Sequence, residues 1–242
     1  MIRCQDQRLA RFLKPFSSTG IRMAIKIDYV SDIACPWCAV GLGGLEIALN
    51  NIGEAIPVEI HFQPFELNPQ MPPGGQEVFE HLTQKYGKTV AQVRATQQDI
   101  KARAAAVGYP FHPEGRKHVY NTFDAHRLLY WAGLEHGPAA QHRLKRELLI
   151  TYFQLAVDLD DQNNLIAAVE RAGLDTKRAK AILDSQEFKA EVRAQQQKYT
   201  SMGIHSVPSI IINDQYLLQG AQPPEAFEQA LRQIAAENAE KV

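Results

Sequence analysis

The stretch IDYVSDIACPWCAVGLGG, residues 27–44, joins an apolar strand-like run to an apolar helix-like run and sets Cys35 and Cys38 at the junction. Upstream, AIKIDYV (24–30) alternates apolar and polar residues before Tyr29 and Val30, which predicts a strand. Downstream, Val40, Leu42, Leu45, Ala48, Leu49 and Ile52 recur at helical spacing until Asn51 and Gly53 offer a stop. PVEIHFQPFELNP (57–69) then puts Val58, Ile60 and Phe62 on one face and Glu59, His61 and Gln63 on the other, a second strand ended by Pro64. The opening is therefore β-α-β.

After MPPGG (71–75) the pattern turns helical from Gln76 to about Ser201, with breaks at 108–115, 136–138, 158–164 and 172–175. Within it, Val119, Phe123, His126, Tyr130 and Leu134 fall at steps of four, three, four and four, which predicts one amphipathic stripe. Strand signals return only in PSIIIN (208–213) and QYLLQG (215–220), with Asn213 and Asp214 suited to a tight hairpin turn. A final helix opens near Pro223 and Pro224 and buries Phe227, Ala230, Leu231 and Ile234. The order β-α-β, helices, β-β-α predicts one α/β domain from residues 24–70 and 202–242, with a helical domain inserted over 71–201. Residues 1–23 read as an extension without regular structure, and the lone Cys4 in it as incidental.

The net charge of −1, with 22% charged residues, leaves no electrostatic footprint for nucleic acid or an anionic membrane. No apolar run approaches the roughly 18 residues of a spanning helix. The first residues lack the apolar core of a secretory signal, so the expected compartment is the cytoplasm. Cysteine pairs there are catalytic, redox-sensing or metal-binding more often than structural.

The placement of the pair discriminates among these roles. Cys35 is expected near the helix N-cap, Pro36 at the first helical position, where its missing N–H costs nothing, and Cys38 in the first turn. The first-turn N–H groups and the helix dipole stabilise a thiolate, an arrangement that lowers a cysteine pKa from about 8.5 to roughly 3.5–7.5. Cys35, nearer the surface, would attack a disulfide; Cys38, inside the turn, would resolve the mixed disulfide. Trp37 adds apolar surface beside the nucleophile. A structural zinc site needs further ligands, and the chain has neither a second CxxC nor paired-histidine spacing. Inert buried thiols would not need this position after a strand.

Together, SDIACPWCAVG, NTFDAHRLLYWA, LLITYFQLAVDLDD, GIHSVPSIIIN and GAQPPEAFEQAL, in that order, resemble the DsbA family of thioredoxin-fold thiol–disulfide oxidoreductases. The likeness spans about residues 24–236 and is greatest to the FrnE-like subgroup, related to 2-hydroxychromene-2-carboxylate isomerases and kappa-class glutathione transferases. It implies a thioredoxin fold interrupted by a helical domain, with Cys35 as nucleophile and Cys38 as resolving cysteine. It also implies a cis Pro208 packed against the pair, with Val207 presenting backbone to an extended substrate. Gly43 and Gly44 depart from the basic residues common in relatives, and each costs the helix ~1 kcal/mol relative to alanine.

The remaining candidates are weighed against structural roles. Asp32 reads first as a turn former and second as a modulator of the Cys35 proton. His126 reads as a packed histidine rather than a groove-facing one, while His205 suits a loop position or one beside the thiolate. Phe123, Tyr130 and Trp131 read mainly as core, and DLDD (158–161) as a loop with a helix cap rather than a metal site. The expected activity is disulfide reduction or isomerisation on protein or small-molecule disulfides, with no cofactor beyond the cysteines and with glutathione as a conceivable co-substrate. A glutathione-dependent isomerase or transferase is the alternative, and a polypeptide-binding chaperone module the third reading.

Overall fold

The computed structural model describes residues 24–240; the expectations for residues 1–23, Cys4 among them, lie outside the described residues. In chain order the elements are β1 (Ile25–Ser31), α1 (Pro36–Ile52), β2 (Val58–Pro64), β3 (Gln76–Glu77), α2 (Val78–Tyr86), α3 (Val90–Ala106) and β4 (His118–Val119). There follow α4 (Phe123–Leu149), a π-helical turn (Ile150–Gln154), α5 (Gln162–Arg171), α6 (Thr176–Leu183), α7 (Lys189–Ser201), β5 (Ser209–Ile212), β6 (Tyr216–Gln219) and α8 (Pro224–Glu240).

The main sheet runs β2-β1-β5-β6, with β1 parallel to β2 and antiparallel to β5. The sheet is mixed, within the expected α/β fold. Because β1 is central and covered on both faces, Ile25, Ile27, Tyr29 and Val30 are all buried despite the polar Lys26 and Asp28 between them. The second of those polar residues, Asp28, is buried too. Lys26 Nζ lies 2.9 Å from its carboxylate, and Gln63 Nε2 donates to it at 2.6 Å. The hairpin from β5 to β6 turns on Asn213 and Asp214, at φ 51° and 56°, with Gln215 N donating to Ile212 O at 3.0 Å. Asparagine and aspartate tolerate that left-handed backbone better than most residues, which is why the pair marks the turn.

Between the halves of the sheet the helices start where the capping chemistry places them. Thr89 and Gln92 form a reciprocal capping box on α3, while Asp161 and Asp175 accept first-turn N–H groups of α5 and α6. DLDD therefore acts as a loop and cap. The expected breaks at 108–115 and 172–175 are loops, and two further breaks, at 87–89 and 184–188, had no strong sequence mark. The 136–138 break is a kink: Gly137, at φ 81°, re-aims α4 so that Pro138 opens its second half.

The predicted stripe does not hold as drawn. Val119 lies in β4, four residues before α4 begins, and Leu134 is 63% exposed. A helix that starts at Phe123 buries Ala125, Leu128, Leu129 and Ala132 instead, together with His126 and Trp131. Phe123 is capped by the Arg193 guanidinium at 3.8 Å from its ring centre, and Tyr130 packs on Phe188. One hydrophobic cluster passes without interruption from Ile27 and Leu42 through Trp131 and Leu148 to Ala179.

Gly43 and Gly44 of α1 are close-approach sites, which gives their expected helix-propensity cost a structural reason. A Cβ on Gly43 would stand 2.5 Å from Val107 O at the end of α3, and one on Gly44 would stand 2.8 Å from Gln222 O. Their helix-propensity cost is the condition for α3 and the α8 approach to pack on α1.

Candidate active site

The geometry around the cysteines follows from how β1 ends. After Ser31 the chain turns through Asp32, Ile33 and Ala34, and Cys35 takes the N-cap of α1 in an extended conformation (φ −87°, ψ 111°), with Pro36 at the first helical position. Cys38 N donates to Cys35 O at 3.0 Å, which closes the first turn. Both cysteines are free thiols. Cys38 is fully buried; Cys35 is 3% exposed and forms part of the wall of a groove of about 610 Å³.

The two thiols are held differently. The Cys38 thiol donates to the Cys35 sulfur, and with the N–H groups of Cys38 and Trp37 this holds Cys35 below the ordinary cysteine value, against its burial and the Asp32 carboxylate. Burial pushes Cys38 well up, and its hydrogen bond to Cys35 pushes the same way. The pair is therefore split into a more acidic thiol at the groove and a less acidic one behind it, the division that attack followed by resolution requires.

Two further contacts fix this corner. The Cys35 sulfur lies 3.6 Å from Val207 O, and the Val207–Pro208 peptide bond is cis, the isomer that the resemblance implies. Tyr29, wholly buried in β1, donates its hydroxyl to Cys38 O at 2.9 Å. Gly41 lets Tyr29 and Pro208 converge: a Cβ there would meet Tyr29 Oη at 2.8 Å and Pro208 Cγ at 3.1 Å.

Asp32 does more than shape the turn. It is 1% exposed; Oδ1 accepts from Ala34 N at 3.1 Å, and Oδ2 accepts from Leu67 N at 2.7 Å. Burial pushes its pKa up, but the facing His126, the Leu67 N–H and Thr122 outweigh burial and hold it below 3.8. His126 is packed inside rather than groove-facing, as expected, with Nε2 3.6 Å from Asp32 Oδ1, too far for a hydrogen bond. His205 is exposed and lines the groove with Val207, Pro36 and Trp37.

The groove itself combines apolar and basic walls. Trp37, Phe65, Leu82, Tyr86 and Ile100 supply the apolar surface; Lys85, Lys88 and Arg116 supply positive charge. Lys85 is oriented by Leu67 O at 2.9 Å and Asn68 Oδ1 at 2.6 Å. Arg116 is 9% exposed and packs over the rings of Tyr152 and Phe153. Among the described residues no cluster of three or more His, Cys, Asp or Glu side chains could hold a metal ion, and no helix is long and apolar enough to cross a membrane.

Sequence reasoning did not single out Tyr29, Arg116, Lys85 or Lys145 for the site. Lys145 had a signal: it shares the inward face of α4 with Gln141, Leu144 and Leu148, where a lysine needs a reason. The others come to the cysteines only through tertiary contacts.

The profile of the DSBA-like thioredoxin domain matches residues 26–232. The chain is 34% identical to a probable DsbA oxidoreductase from Streptomyces coelicolor, with a TM-score of 0.78 over 86% of this chain and 89% of that one. It shares its fold with a 2-hydroxychromene-2-carboxylate isomerase, at 16% identity and a TM-score of 0.66, covering 90% of this chain and 99% of that one. The same holds for the cytosolic disulfide reductase DsbM of Pseudomonas aeruginosa, solved with glutathione, at 15% identity and a TM-score of 0.57, covering 86% and 98%.

Proposed function

The chain belongs to the DSBA-like thioredoxin family, and on that premise we propose that it is a thiol–disulfide oxidoreductase of the reductase or isomerase type, working through a Cys35–Cys38 dithiol. Cys35 attacks a substrate disulfide at the groove, a mixed disulfide forms, and Cys38 displaces the substrate thiol to leave the Cys35–Cys38 disulfide. The observation that carries this reading is the asymmetry of the pair: Cys35 lines the groove at the N-cap of α1, with Cys38 fully buried in the first turn behind it. Pro36 pre-sets the first turn, Trp37 offers an apolar contact, and Val207 and Pro208 border the sulfur. His205 at the groove rim contacts the substrate.

Substrates in this reading are protein or small-molecule disulfides, in the cytoplasm, with no group needed beyond the cysteines. Glutathione fits as the co-substrate because Lys85, Lys88 and Arg116 give the groove a basic wall toward an anionic thiol. The glutathione-dependent isomerase reading rests on a shared fold alone and lacks a feature here that would make Cys38 useful.

The test is the reduction potential of the pair, read by equilibrating the protein in graded glutathione buffers, trapping free thiols and weighing the products. A potential of about −120 to −180 mV marks a disulfide donor or isomerase, and one near about −270 mV a reductase. A glutathione adduct with no intramolecular disulfide across the series would sink the dithiol reading.

A further inference from the structure

Between β2 and α4, beside Ser31 at the end of β1, lies a small cavity of about 10 Å³, room for about one water. Ser31, Phe62, Gln63, His126 and Lys145 are among the residues that line it. The Lys145 amine is the outlier there. The residue is 0% exposed, its Nζ has no hydrogen-bond partner among the described residues, and the centre of the Phe62 ring lies 5.8 Å from it. An unpaired buried lysine is costly and needs an account.

The fold holds that amine in place. One turn earlier on α4, Gln141 clasps the backbone of Phe62, its Oε1 accepting from Phe62 N at 2.8 Å and its Nε2 donating to Phe62 O at 3.0 Å. This covers the free edge of β2. On the flank of the same turn, His142 and Arg146 meet Glu46 of α1 at 2.6 and 2.5 Å. Helix α4 is thereby fixed to both α1 and β2, and Lys145 is directed under the sheet. The ionisable groups within its electrostatic reach are Asp32, Cys35 and Cys38 on the β1–α1 segment, with His126 and Tyr130 of α4 on the cavity wall. From α7, Gln195 is uncharged.

We propose that Lys145 is a positioning residue for the second half of the reaction, its ammonium supplying the charge against which the Cys38 thiolate forms. This deepens the dithiol reading and rests on it. The Cys38 sulfur attacks Cys35 of the mixed disulfide; the Cys35–Cys38 bond forms and the bond from Cys35 to the substrate sulfur breaks. Cys38 is oxidised, the substrate sulfur is reduced, and the proton lost by Cys38 ends on the departing substrate thiolate. Lys145 keeps its own proton throughout. Burial makes Cys38 reluctant to ionise, so a cation on the inner side is what the step lacks. Lys145 favours the ionised form of Cys38, and Cys38 in turn favours the charged form of Lys145.

The test uses the full-length reduced protein and dithiobis-nitrobenzoate, whose two aromatic thiols leave in sequence. The first is released when Cys35 attacks and the second when Cys38 resolves. With Lys145→Met the first phase is expected to stay within twofold of wild type. The second should slow 10- to 100-fold at pH 7, with its pH profile displaced upward by a unit or more. An unchanged second phase, or equal slowing of both phases at every pH, would overturn the proposal. If wild type itself releases one thiol only, the dithiol reading fails, and Lys145 loses its role with it. Should the variant not fold, the wild-type chain answers directly by NMR titration of its Lys145 ε-methylene. The midpoint is expected to be higher in the reduced protein than in the disulfide form, and equal midpoints refute the coupling.

Discussion

Asp32 and His126 face each other across 3.6 Å beneath the cysteine turn, both almost wholly buried. The carboxylate sits between two tasks, since it accepts the N–H groups of Ala34 and Leu67 and also opposes ionisation of Cys35. Asp32→Asn separates them. Removing the charge should lower the Cys35 pKa further, moving the pH midpoint of its alkylation by iodoacetamide downward. One of the two N–H groups would then meet an amide donor, at a cost on the order of 1–3 kcal/mol in denaturant melts. The sign of the wild-type pH dependence follows from the lowered carboxyl. Its stabilisation is complete above an unfolded value of 3.8 and is lost as pH falls through the lower folded value. The difference between Asp32→Asn and wild type should narrow only in that acid window.

Lys145 gives a slope of the same sign, in the alkaline range. Burial pulls its pKa from 10.5 down to about 8, so between those values the unfolded chain binds more protons and stability rises with pH. Lys145→Met removes this term. The variant should be more stable than wild type at pH 7, by a margin on the order of 3 kcal/mol. That advantage should fade by about pH 10.5, as urea melts at a series of pH values would show. A margin that stayed flat with pH would mean the amine is not buried as described.

Gly43→Ala tests the packing reading of α1. Helix propensity alone predicts a gain of about 1 kcal/mol. With Val107 O 2.5 Å from the new Cβ, overpacking should instead cost ~1–3 kcal/mol. Thermal unfolding decides: a rise in Tm contradicts the contact between α1 and the end of α3.

The cysteine roles divide under single substitution. Cys38→Ser should accumulate a stable mixed disulfide with oxidised glutathione, visible as a mass adduct, whereas Cys35→Ser should accumulate none, because Cys38 is sealed from the groove. Suppression of aggregation of an unfolded client by Cys35→Ser, with disulfide exchange abolished, would favour the polypeptide-binding role instead.

Much of this was legible in order along the chain. Strand, CxxC and helix share one short segment, so Cys35 at the N-cap and Pro36 behind it follow from local backbone preferences. The hairpin at Asn213–Asp214 and the caps at Asp161 and Asp175 were readable for the same reason: each is decided within a few residues. The stripe through Val119 and Leu134 failed because periodicity gives spacing but not the residue at which a helix begins.

The sequence by itself determined the α/β order, the dithiol and its helix N-terminus, since these depend on neighbours in the chain. Only the tertiary structure decided what surrounds the sulfurs. Val207 comes within 3.6 Å of Cys35 across 172 residues, and Gln141 reaches Phe62 across 79. Such contacts are set by how the sheet edge, the kinked α4 and the returning β5 pack together, and a pattern of apolar spacings carries no term for that. The electrostatics of the pair belong to the same class. A lysine and an aspartate in a sequence are solvated charges until the fold buries them beside a thiol, and burial is what turns them into determinants of its ionisation.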